Sequence, residues 1–84
     1  MKYNIEIQPL ADHYVVAAKD HTTGNTVQVF TLNQSGVEML NLLAEGKSIE
    51  SISQILSEKY GVTIDLVASD VQIFVHSIEE KGLL

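Results

Sequence analysis

Polar and apolar residues alternate at the start of the chain, where Tyr3, Ile5 and Ile7 are interleaved with Asn4, Glu6 and Gln8. A period of two marks a half-buried strand, predicted over about 3–8 with Pro9 as its end. A short apolar run, Tyr14 to Ala18, predicts a second strand over 13–19, and the β-branched and aromatic stretch Thr26 to Leu32 a third over 26–32. Between these two lies Asp20-His21-Thr22-Thr23-Gly24-Asn25, a cluster of turn formers in which Gly24 can take a positive φ. The first third is therefore predicted to be a three-stranded antiparallel meander.

After Asn33 the period lengthens to that of a helix. Val37, Leu40, Leu43 and Ala44 share a face over 34–45, with Asn33 as N-cap and Gly46 where a left-handed cap belongs. A second helix, 49–60, starts from Ser48, turns Ile49, Ile52, Ile55, Leu56 and Tyr60 inward, and stops at Gly61, with Val62 packing back over it. A third, 64–81, follows a Thr63 cap with Val67, Val71, Phe74 and Ile78 in one stripe and ends at Lys81-Gly82, Leu83 supplying the closing apolar contact. Strands followed by helices predict an α+β domain spanning 1–84, one sheet face covering three helices, without an internal repeat or linker.

Composition narrows the functional classes. With 84 residues, 45% of them hydrophobic and 19% charged, the chain is sized for one small packed domain. Five lysines and no arginine stand against 11 acidic residues, a net charge of -6 that opposes nucleic acid and anionic membrane as partners. The chain has no cysteine, and hence neither disulfide nor thiolate chemistry. Its N-terminus does not have the pattern of a signal peptide, and the run Tyr14 to Ala18 is far short of the roughly 20 residues of a membrane span, so a cytoplasmic location is expected.

Catalytic chemistry finds no constellation. His13, His21 and His76 are too scattered for the helical spacings of metal sites. His76 and Ser77 are neighbours in sequence, and consecutive helix positions diverge by about 100°, which separates base from nucleophile. Glu79 and Glu80 fit a solvated last turn, and the five glycines form no phosphate-cradling motif. We expect neither an enzyme nor a cofactor. The short Gly61-Val62-Thr63 junction allows a helix-turn-helix, but the would-be recognition helix carries Asp65, Asp70, Glu79 and Glu80 against a single lysine.

The third strand is informative for what it lacks. From His21 through Val37 there is no Asp, Glu, Lys, Arg or Pro, the residues with which natural sheets guard an edge. If this strand is an edge, it invites an extended peptide; the alternatives are a central strand, cover by its own chain, or pairing with a second copy. Ile73 lies outside the third helix's stripe, either filling core or widening an apolar groove beside the strand.

These segments resemble a family. Leu32-Asn33-Gln34-Ser35-Gly36-Val37-Glu38-Met39-Leu40 resembles the L-N-x-[ST]-[AG]-x-x-[IL] signature of PqqD-like proteins, known more broadly as RiPP precursor recognition domains. Glu45-Gly46-Lys47-Ser48-Ile49 is similar to the D-G-x-[ST]-[VI] start of their second helix and Tyr60-Gly61-Val62 to its end. Asp70-Val71, Phe74, Ile78 and Gly82-Leu83-Leu84 resemble their D-V-x-x-F ending, so the likeness runs from Tyr14 to Leu84.

The resemblance implies a winged helix-turn-helix scaffold turned from DNA to peptide. It would be a non-catalytic adaptor that binds the leader of a ribosomally made precursor peptide and presents it to a modifying enzyme, such as a radical SAM protein, a leader protease or a cyclodehydratase. In such complexes the leader adds beside the third strand. By position this implies backbone pairing at Val27, Gln28, Val29, Phe30 and Thr31, and a groove at Val67, Asp70, Val71, Phe74 and Ser77 of the third helix. The acidic balance favours a neutral or basic leader. A homodimerisation module is the main alternative.

Overall fold

The computed structural model describes residues 1–84: strands β1 (Asn4–Leu10), β2 (His13–Lys19) and β3 (Thr26–Leu32), then helices α1 (Gln34–Ala44), α2 (Ile49–Tyr60) and α3 (Ile64–Glu80). The strands form one antiparallel sheet in the order β1-β2-β3, followed by the three helices, the α+β arrangement expected from the change of period. Two differences appear at β1. It begins after Tyr3 and runs through Pro9, which sits opposite Tyr14. An edge strand tolerates proline where the missing N–H would face away from its neighbour. The β1–β2 link is the two-residue turn Ala11-Asp12, in which Ala11 takes φ 55° without glycine to signal it.

Caps explain the helix boundaries. The Asn33 side chain accepts from Gly36 N at 2.9 Å and the Ser48 hydroxyl from Ser51 N at 3.1 Å. Thr63, expected to do the same for α3, makes no side-chain cap bond. The Asp20 carboxylate accepts from Thr22 N and Thr23 N at 2.8 and 3.0 Å, which closes the β2–β3 hairpin and holds that carboxyl below its ordinary range.

The core falls into two adjoining clusters. Val16 and Ala18 of β2 meet Leu40, Ile78 and Leu83, with Tyr3, Ile5, Ile7, Phe30, Leu32 and Phe74 packed around them. Behind this, Ile52 and Leu56 of α2 pack on Val71 and Val75 of α3. Several expected inward positions are corrected. Ile55, Tyr60 and Ala44 are exposed, Val62 is only partly covered, and Val75, which the stripe omitted, is buried. Ile73 does not fill the core: it is 68% exposed. Ser53 is buried, its hydroxyl donating to Ile49 O at 2.7 Å one turn back.

Tyr60 turns outward because its hydroxyl finds a partner on α1. Both the Tyr60 hydroxyl and Lys59 Nζ, the latter at 3.0 Å, donate to the Glu38 carboxylate and clasp α2 to α1. The Tyr60 bond foremost, then Lys59, holds the Glu38 carboxyl below its ordinary 4.5, and Glu38 in turn pushes the Tyr60 phenol above 10.0. A depressed carboxyl stabilises the fold above its unfolded pKa and loses that contribution as pH falls through the lower folded value. Urea midpoints of wild type and Glu38→Gln are therefore expected to differ at pH 7 and to converge in acid, once Glu38 is protonated in both states.

Candidate functional site

Strand β3 has a neighbour on one side only. Its alternating side chains divide between two faces: Val27, Val29 and Thr31 are exposed, while Gln28, Phe30 and Leu32 turn inward and are half-buried. Of the alternatives left open by the sequence, a central strand and cover by the chain's own segments are both excluded. The edge has no charged residue or proline to guard it, in contrast to β1 with Glu6 and Pro9.

Helix α3 is tied to this strand at its C-terminal end. Gln28 Nε2 donates to Lys81 O at 3.0 Å, and Lys81 Nζ lies 4.8 Å from the centre of the Phe30 ring. Further along, Phe74 packs against the cluster that also receives Phe30 and Leu32. At about 100° per residue, Val67, Asp70, Ser77 and Lys81 fall within about 60° of Phe74 on the helix, in one longitudinal strip. Within it Val67 and Phe74 are half-buried, Asp70 and Ser77 exposed.

Of the ten candidate positions, five lie on the edge strand β3, Phe74 packs into the cluster that also receives Phe30, and Val67, Asp70 and Ser77 share the helix face of Phe74. The tenth, Val71, has no exposed surface and packs with Ile52, Leu56 and Val75, so it supports the strip from beneath and offers nothing to a ligand. Sequence reasoning missed two participants. Leu66, 65% exposed, borders the strip toward the start of α3, and Lys81 closes its other end. Extending the helical spacing from Phe74 in both directions reaches both residues. Toward Leu66 the strip opens into a depression of about 190 Å³ between α1, α2 and α3, floored by Met39, Leu56 and Val67 and edged by Ser35 and Asp70.

Other polar groups pair locally. His76 Nε2 lies 2.8 Å from Glu80 one turn on, and His13 Nδ1 lies 3.2 Å from Asp12. No three His, Asp or Glu side chains converge as metal ligands would. No helix is long and apolar enough to cross a membrane.

An unguarded strand edge beside a helix face with half-buried Val67 and Phe74 is a geometry that can accept an extended peptide. The model of the family described as coenzyme PQQ synthesis protein D (PqqD) matches residues 21–84, and the chain belongs to that family. Among solved structures it is similar to TbiB1 in complex with the TbiA(beta) leader peptide, at 28% identity and a TM-score of 0.70, over 100% of this chain and 94% of that one. No curated protein matches it.

Proposed function

We propose that residues 1–84 act as one non-catalytic adaptor domain that binds the leader segment of a ribosomally synthesised precursor peptide and presents it to a modifying enzyme. The leader adds as a fourth strand along Val27, Gln28, Val29, Phe30 and Thr31, and its inward side chains lie against Val67, Asp70, Phe74 and Ser77 of α3. The observation that carries this reading is the uncharged open edge of β3 lying beside the α3 strip. It is supported by membership of the PqqD family and by likeness to a protein solved with a leader peptide bound.

The adaptor's contribution is concentration. Holding the leader makes the meeting of core peptide and enzyme effectively intramolecular, at effective concentrations of order millimolar for a short flexible tether. Such a role places the protein in the cytoplasm, where ribosomes make the precursor. The deciding experiment is an amide NMR titration with leader peptides of precursors encoded near the gene. Shifts confined to Thr26–Leu32 and the exposed strip of α3 are expected. Shifts elsewhere, or none together with a doubled tumbling time, would overturn the reading in favour of β3 pairing with a second copy.

A further inference from the structure

The strip of α3 centred on Phe74 carries two formal charges, of opposite sign and at opposite ends. Taking Phe74 as the centre and 100° per residue, Asp70 and Lys81 lie within about 40° of it. Asp65, His76, Glu79 and Glu80 all lie beyond about 110°, on the far side of the helix. Strand β3 contributes no charge, because Asp, Glu, Lys and Arg are absent from His21 through Val37. Neither Asp70 nor Lys81 forms an ion pair. Lys81 is held over Phe30 beside the Gln28 end of the strand, and Asp70 edges the depression shared with Ser35, just past the other end.

From this polarity we infer that the bound leader carries a basic residue that meets Asp70 and, four residues closer to its C-terminus, an acidic residue that meets Lys81, with uncharged residues between. The spacing comes from the fold. Eleven helical residues separate the two positions by about 16 Å along the axis; strand side chains share a face only at even spacings, and four residues, about 13 Å, fit because the Lys81 side chain lies over Phe30. The order comes from strand direction. Antiparallel pairing is the more stable per residue and is used throughout this sheet, so a leader running against β3 reaches the Asp70 end first. The two charges act chiefly on register and direction, because a one-residue slip would also turn the leader's inward side chains outward.

This inference rests on the leader-binding reading and is tested apart from it. The probes are two acetylated, amidated peptides of eleven alternating threonines and valines, one with lysine at its third position and glutamate at its seventh, the other with these two exchanged. Affinity is read from the β3 amides of the intact protein in low salt. The lysine-first peptide is expected to bind about tenfold tighter, each exposed pair contributing about two- to fivefold. In the variant combining Asp70→Lys with Lys81→Glu the preference should invert, a result that lost folding would not give. Equal binding of both peptides, or a preference unchanged in the swapped variant, would overturn the inference and leave strand addition standing. Binding of neither, while the neighbouring precursor's leader still shifts β3, would overturn it too. Failure of every leader to shift β3 would remove the underlying reading.

Discussion

Val29→Pro is expected to weaken leader binding at least tenfold while the helices keep their native amide spectrum. Strand addition draws its affinity from a ladder of main-chain bonds, each worth about 0.5 to 1.5 kcal/mol net. Proline at the middle of β3 removes one donor and forces the ring into the ladder, so flanking bonds are strained as well. Val29 itself is 60% exposed and outside both core clusters, so its side chain contributes little to the fold. Val29→Thr supplies the control, because it changes the same exposed side chain but keeps the N–H, and it should leave leader affinity within about twofold. Isothermal titration of both variants with the same leader reads the difference. Equal affinities in wild type and Val29→Pro would count decisively against pairing along β3.

The contrast between the two edges shows what is readable in a sequence and what is not. Alternation at Tyr3, Ile5 and Ile7 and the β-branched run of β3 announced the strands, and Asn33, Ser48 and Gly46 announced helix ends, because these signals are local. The absence of guards on β3 was equally plain in composition. Whether the strand was an edge depends on contacts among distant segments, and the structure supplies that. The same limit explains the misplaced residues. Tyr60 has the spacing of a core position but is drawn outward by Glu38, a bond between α2 and α1 that no local pattern encodes. Ile73 has the hydropathy of core and is 68% exposed, whereas Val71, which the family resemblance implies as a groove residue, lies toward α2 and is covered by it. Helical spacing locates a face; it does not say which neighbour that face meets.

The helix that lines the candidate site is anchored by its last turn, and Leu83→Ala is expected to cost about 2 to 5 kcal/mol. Gly82 takes φ 75°, its N–H donating to Glu79 O at 2.9 Å, and Leu83 N donates to Ile78 O at 3.3 Å. These two bonds end α3 in a motif whose closing apolar contact joins the residue after the glycine to the one five positions back. Here that pair is Leu83 and Ile78, both essentially without exposed surface and both in the cluster with Val16, Ala18 and Leu40. The Leu83 carbonyl also accepts from Lys2 N at 3.1 Å, so the same residue ties the start of the chain to its last helix. For a domain of this size total stability is of the order of 4 to 13 kcal/mol, so losing the leucine side chain removes a large share. The melting temperature should fall by at least about 8 °C, given about 4 to 8 °C per kcal/mol in small domains. Leu84→Ala, at a partly exposed neighbouring position, should fall by much less. Because Leu83 follows Lys81, loosening this turn also frees the lysine that covers Phe30. Leader affinity should therefore weaken in Leu83→Ala even at temperatures where the protein stays folded, and a titration at 10 °C alongside the melts would separate that effect from unfolding.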